Sequence, residues 1–389
     1  MASASDSDAN DSPTFQPIHT VLKKTVEHLD EFPTHASVPS TRYSVPRLAA
    51  ALLEYSPDPI TLGDRLWDEF RIQRGSSGNA WRQLVAGFEQ VDGDDDSKMV
   101  KIGTNDIKNM ADVIRSSAQT QLVLYRWTGR YSHGLLQPMC RLSRSSAPFP
   151  GDPKFPRSLL ARDGPSCLTT GTIHLGTEKK DVDEWTRNFA AGQAIHMDTL
   201  EASHIVPFPM ASDKKAGTSR SYLADFSGDT IIEVQVTGDS INDPTNGLMM
   251  EKGAHSAFRS YRFGIECTDV PNSSVPEYRV RFVHDNLPKS LEGCDRRILH
   301  FGRWETTRFD KPSQTPLPRK DYLRTHLAIA KVLHASGAWE VFDQTLREEE
   351  RLKEEEEEME RSHKRRRLLD FDDEQFDNSS SRSSSVISC

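Results

Sequence analysis

The chain has 389 residues, of which 35% are hydrophobic and 28% charged, and its formal net charge at pH 7 is -9. That length provides for one sizeable core with accessory segments, or for two domains, and a mean hydropathy of -0.63 implies that part of the chain never enters a core. The acidic balance excludes an overall electrostatic attraction to nucleic acid or to an anionic membrane, so any such contact must rest on a local patch.

Residues 1–44 are rich in Ser, Asp, Thr and Pro and are expected to be mostly disordered, with one short helical candidate near VLKKTVEHL. MASASDSDANDSPTF lacks a basic start and an apolar run, so no secretory signal is expected there, and no apolar stretch approaches membrane-spanning length. A helical unit over 45–145 follows from RLAAALLEY, from TLGDRLWDEFRIQ after the break at Ser56-Pro57-Asp58-Pro59, and from DIKNMADVIRSSAQTQLVLYRW. The proline-rich SSAPFPGDPKFP reads as a linker.

Over 150–310 the texture changes. Short β-type runs, IIEVQV, YRFGIEC, YRVRFVH and RRILHFG, alternate with turn residues, so the fold class is α+β. A helical segment is predicted over 318–366, with Leu323, Leu327, Ala330 and Leu333 on one face and Gly337 as a bend or helix end. In EEEEEMERSHKRRR, Glu357 precedes Arg361 and Glu360 precedes Lys364 by four positions, the favourable orientation for helical ion pairs. HKRRR at 363–367 is either a basic cluster of the kind nuclear import receptors read or charge balance for the preceding acids. Residues 367–389 form an acidic, Ser-rich tail expected to be disordered.

The five cysteines, 140, 167, 267, 294 and 389, are odd in number and contain no CxxC pair. This argues against a disulfide framework, suits a reducing, intracellular compartment, and leaves no set for a structural zinc.

Three stretches carry the candidate chemistry. Arg162-Asp163-Gly164 leads into Cys167-x-x-Thr170-Gly171; Glu201-Ala-Ser-His204-Ile-Val-Pro-Phe follows; then come Asn246-Gly-Leu and, nine positions after Asn246, His255-x-x-Phe258. A lone histidine is more often satisfied by local hydrogen bonds than catalytic, but four fragments in this order resemble the HNH nuclease family. The resemblance is to the branch running C-x-x-T-G, E-A-A-H-I-x-P-F, N-x-L and H-x-x-F, seen in uncharacterised fungal proteins. It covers roughly residues 157 to 283.

The resemblance implies a ββα-metal core with added strands and a metal-dependent endonuclease. His204 is then the general base, since an imidazole near pKa 6.5 accepts a proton from water at neutral pH. Asn246 holds the loop or the base, His255 is a metal ligand, and Cys167 and Gly171 shape a structural hairpin. The implied cofactor is a divalent metal ion, Mg2+ or a transition metal, and the implied partner is nucleic acid, DNA first. Two positions depart from the pattern. Ser203 stands where many members place a metal-binding Asp or His, and Arg259 stands where bacterial members often have Asp. A guanidinium does not ligate a cation but can grip a phosphate, so Arg259, Arg279 and Arg281 are candidate phosphate binders. A cluster of Arg279, Arg281, Arg296, Arg297 and Arg303, with Lys214, Lys215 and Arg220, could seat a nucleic-acid backbone although residues 151–310 hold 19 basic and 23 acidic side chains. Glu201 is expected to face solvent. Three readings stay open, an active endonuclease, a catalytically degenerate binding module on the same fold and, ranked last, a helical interaction protein working through the acidic C-terminal helix.

Overall fold

A computed structural model describes residues 14–29, 43–72, 90–92, 98–144, 153–189, 195–207, 216–228, 238–271, 273, 276–302, 304 and 314–380. The strand expected at IIEVQV, most of the proline-rich linker, Lys214, Lys215, Arg303 and Cys389 lie outside these residues. The chain divides into two compact units, Met1–Trp339 and Glu340–Cys389.

In the first unit, strand β1 (Thr14–Pro17) leads into helix α1 (Ile18–Glu27). Ile18, Val21, Leu22 and Val26 recur at helical spacing and are fully or almost fully buried, so the helical candidate near VLKKTVEHL is a helix built into the core. Helix α2 (Val45–Tyr55) starts at Ser44, whose hydroxyl accepts from the Arg47 amide, and stops at Ser56 ahead of Pro57. Helix α3 (Pro59–Ile72) follows. Strands β2 (Gln90–Asp92) and β3 (Lys98–Ile102) join β1 in an antiparallel sheet of order β1-β3-β2. The stretch predicted as one helix near 106–127 is two, α4 (Thr104–Ser116) and α5 (Ala118–Tyr131), separated by Ser117 in an extended conformation. A π-helical turn at Ser132–Leu136 passes into helix α6 (Gln137–Arg144).

The α+β part begins with helix α7 (Lys154–Asp163), strand β4 (Ile173–His174) and helix α8 (Lys179–Phe189). Strand β5 (Met197–Asp198) pairs parallel with β4, and strand β6 (Leu200–His204) pairs antiparallel with β7 (Gly247–Glu251). Helix α9 (Ala216–Ser227) occupies the insertion between β6 and β7. Helix α10 (Lys252–Arg259) follows β7 directly. The β-type runs YRFGIEC, YRVRFVH and RRILHFG supply β8 (Phe263–Thr268), β9 (Glu277–Phe282) and β10 (Ile298–Leu299), a sheet of order β10-β9-β8.

Helix α11 (Lys320–Ser336) ends at Gly337, whose φ of +71° is the left-handed cap that glycine adopts without steric penalty. The sequence predicts one apolar face for it. Instead it is buried on nearly every side, Thr325, His326 and Ala328 included, because it packs against α2 and β8 at once. This places the N-terminal helices and the α+β part in one unit. His326, fully buried, stacks on Phe258 of α10 at 3.8 Å between ring centroids and on Tyr261 at 4.8 Å.

One side chain joins more segments than any other described here. The fully buried Arg162 donates Nε and one Nη2 hydrogen to the two carboxylate oxygens of Asp163 at 2.8 and 2.7 Å. Its other three donations go to the carbonyls of Gly247 and Pro244, at 2.9 Å each, and of Pro316, at 3.1 Å. All five N–H groups of the guanidinium are used. Asp163 in turn accepts from the Gly302 amide.

The second unit is carried by helix α12 (Ala338–Ser380). The predicted pairs Glu357–Arg361 and Glu360–Lys364 form along it, together with Asp343–Arg347 and Arg351–Glu355. Among the described residues, no helix is long and apolar enough to cross a membrane.

Two stability predictions follow from these contacts. Arg162→Met leaves the Asp163 carboxylate buried without its cation and three carbonyls without donors, a loss of about 3–5 kcal/mol. Arg162→Lys is also strongly destabilising, because an ammonium has three donors and no planar fork; thermal denaturation of both variants checks this. Burial pushes His326 down to about 3, against the Phe258 backbone contact, which raises it. Between pH 6.5 and about 3 the unfolded chain therefore binds a proton at this site that the folded chain does not, and stability falls as pH falls through that window, by at most about 1.4 kcal/mol per pH unit. In thermal melts from pH 7 to pH 4, His326→Phe is expected to flatten this decline.

Candidate functional site

The site is built on β6, β7 and α10. Strand pairing sets His204 opposite Gly247, Ser203 opposite Leu248 and Glu201 opposite Met250. Helix α10 begins without a loop because Glu251, the last residue of β7, caps it, its carboxylate accepting from the Ala254 amide at 3.1 Å. His255 thus falls on the first turn of a helix packed on both strands. Its Nδ1–H donates to the Glu201 carboxylate at 2.5 Å, although the Glu201 side chain remains 43% exposed. Glu201 is therefore a partner of the helix histidine as well as a solvent-facing strand residue.

Asn246 is buried, and its amide is fully used. Oδ1 accepts from the Val206 amide at 2.8 Å, while Nδ2 donates to the carbonyls of Val206 and Ile241 at 3.1 and 3.0 Å. Its own carbonyl accepts from the Ile205 amide at 3.0 Å. The side chain consequently staples the chain leaving β6 to the chain entering β7, and it has no donor left over for a substrate.

His204 is held from two sides. Its Nε2 donates to Asn242 Oδ1 at 3.0 Å, and its ring lies on that of Phe155, with centroids 4.6 Å apart and planes within 11°. That stack requires glycine at 247, since a Cβ there would stand 2.5 Å from the Phe155 ring. Neither Asn242 nor Phe155 is marked by its sequence neighbourhood. Asn242 lies 38 residues from His204, and only the folded hairpin brings the two together.

Burial is the main cause that pushes His204 down to about 4; the Asn242 hydrogen bond opposes it and the charge of His255 lowers it further. The two imidazoles are thus near enough to influence one another. His255 is also lowered, first by burial, with Glu201 acting against that and Arg259 adding to it. At neutral pH both rings are neutral, as ligation or proton acceptance requires. A neutral His204 donating Nε2–H to Asn242 has Nδ1 as its basic atom.

The remaining candidates divide. Arg259, one helical turn beyond His255, hydrogen-bonds the Ser143 carbonyl and feels the charge of Glu201, so it belongs to this neighbourhood. Arg279 and Arg281 do not join it. They lie on β9, paired with Glu277 and Glu266, and their charges are balanced on another sheet. Cys167 and Gly171 shape a tight turn in which the Gly171 amide donates to the Cys167 carbonyl at 2.7 Å and the Cys167 amide to the Thr172 carbonyl at 2.8 Å. Gly171 has φ +82°, and the Cys167 thiol is buried against the Thr169 hydroxyl. Ser203 is buried, with no hydrogen-bond partner for its hydroxyl.

Compared with known proteins, residues 167–266 match the family model described as HNH endonuclease. No curated protein and no solved structure matches the chain. The matched segment begins at the Cys167 turn, runs through β6, β7 and α10, and ends within β8. Residues 167–266 are thus similar to the HNH endonuclease family, and His204, Asn246 and His255 all lie inside the matched segment.

Proposed function

We propose that the protein is a metal-dependent endonuclease that hydrolyses phosphodiester bonds of nucleic acid, DNA first, on a ββα core formed by β6, β7 and α10. The observation that carries this reading is the fixing of His204. A neutral imidazole, stacked on Phe155 and oriented by Asn242, stands within electrostatic reach of a second imidazole held by a carboxylate. His204 accepts the proton of the attacking water at Nδ1. A phosphate entering the site raises its proton affinity from the low resting value, because a nearby anion favours the charged ring.

The donor set suits a divalent metal. A metal-binding histidine characteristically donates its other ring N–H to a carboxylate, which fixes its tautomer and raises its basicity. The pair formed by His255 and Glu201 has that form, with Nδ1 committed to the carboxylate and Nε2 the remaining ligand atom. A bound divalent ion supplies charge stabilisation at the phosphoryl and leaving oxygens. Arg259, bordering Glu201, adds positive charge at the same edge. Asn246 positions the hairpin and touches no substrate. The exposed basic run that includes Lys364 and Arg365 is proposed as a nuclear import signal.

A plasmid-nicking assay with Mg2+, Mn2+, Ni2+ or Zn2+ tests the reading. His204→Ala is expected to lower the rate by about 10²-fold or more, and His255→Ala or Glu201→Gln to raise the metal concentration needed by about 10- to 100-fold. Wild type inactive with every metal would instead favour a degenerate binding module, for which Ser203 in a customary ligand position is the supporting observation. A second comparison separates orientation from folding. Asn242→Ala should slow nicking by about 10-fold with an almost unchanged melting temperature, whereas Asn246→Ala, which strands buried backbone groups, should cost about 1–3 kcal/mol of stability as well.

A further inference from the structure

A second feature of the domain stands apart from the histidine pair. A cavity of about 110 Å³ lies beside the Cys167 turn, lined among others by Ser166, Gly171, Trp185, Arg297, His300 and Trp304. Its aromatic walls are firmly held. Trp185 and Trp304 are each at least nine-tenths buried and pack with Ile173, and Trp304 lies so close over Gly164 that a Cβ there would stand 2.8 Å from the indole. Its mouth is polar and open, with Arg297 and His300 exposed and Arg297 anchored on the Thr169 carbonyl at 3.1 Å. Ser166 is among the lining residues; it is fully buried and its hydroxyl has no hydrogen-bond partner. A buried hydroxyl left unpaired is destabilising, so a ligand that bonds it would remove a standing cost.

The volume is near that of a single six-membered ring, since an engineered cavity of about 150 Å³ holds benzene. Indole walls, a buried unpaired hydroxyl in a lining residue and a guanidinium at the rim suit a flat, polar, aromatic ligand attached to an anion. The position of the cavity links it to the hydrolytic site. Helix α7 carries Phe155, stacked on His204, near one end and Asp163, on the cavity wall, at the other. Eight residues of helix separate them, about 12 Å, the length of a few nucleotides at about 3.4 Å each when stacked.

We propose that this cavity receives a pyrimidine base unstacked from the strand a few nucleotides from the scissile phosphate, so that the protein prefers single-stranded or locally opened nucleic acid. The proposal rests on the endonuclease reading for its biological sense, but the binding event itself does not require cleavage.

The test uses the full chain carrying His204→Ala, without metal, so that binding is measured in the absence of hydrolysis. Tryptophan fluorescence and calorimetry follow titration with deoxycytidine, thymidine, deoxyadenosine and deoxyguanosine monophosphates. Saturable binding of the pyrimidine nucleotides is expected, about 10-fold tighter than that of the purines. Ser166→Ala should weaken it about 5-fold, and Trp185→Phe should weaken it by at least as much. Ser166→Ala removes only an unpartnered hydroxyl, so it keeps the test decisive where Trp185→Phe fails to fold. Absence of saturable binding into the millimolar range, equal affinity for purines, or indifference to Ser166→Ala overturns the proposal. Metal-dependent nicking by wild type alongside such a failure leaves the endonuclease reading intact. Pyrimidine binding sensitive to Ser166→Ala, without nicking, supports the base site and counts against hydrolysis alone.

Discussion

The buried guanidinium of Arg162 is the constraint on which the domain's geometry depends. A charge placed there is tolerable only if every donor finds an acceptor in fixed position. The five acceptors come from Asp163, from the approach to β7, from β7 itself and from the chain entering α11. Satisfying one side chain therefore fixes the relative places of α7, the hairpin and the central helix. The same helix α7 then delivers Phe155 to the face of His204. The stack, the glycine that makes room for it and the strand register are consequences of one another rather than separate features.

Around that frame, polar side chains either hold backbone segments together or orient the two histidines. Asn246 spends its side-chain hydrogen-bonding capacity on backbone groups, which ties Val206 and Ile241 to the start of β7. Asn242 uses one oxygen to select a tautomer of His204, and Glu201 does the equivalent for His255. Each histidine thus has an orienting hydrogen-bond partner.

Much of this was legible in the sequence where the signal is local. Helices α2 and α3, the strands of the β8 sheet and the helical ion pairs follow from periodicity, proline breaks and four-residue charge spacing. His204, Asn246 and His255 stand out as candidates because their neighbours form short ordered fragments. What escaped depends on contacts distant in the chain. Asn242, Phe155 and the role of Glu201 are defined by a fold that no single stretch encodes. The all-round burial of α11 arises from two neighbours on opposite sides, where the pattern of leucines announces one. Arg279 and Arg281 looked suited to phosphate because a sequence lists cations without their partners, and Glu266 and Glu277 become visible as partners only once β8 and β9 are paired.

The stack of His326 on Phe258 has a bearing on how such a domain can evolve. Phe258 lies within the family-matched segment, and His326 lies sixty residues beyond its end, just as Arg162 and Phe155 precede its beginning. The family-matched segment and the compact unit have different borders. A copy transplanted between genes at the borders of family likeness would arrive without its clamp and without the rings that flank it, so recombination can move this segment intact only together with its surroundings.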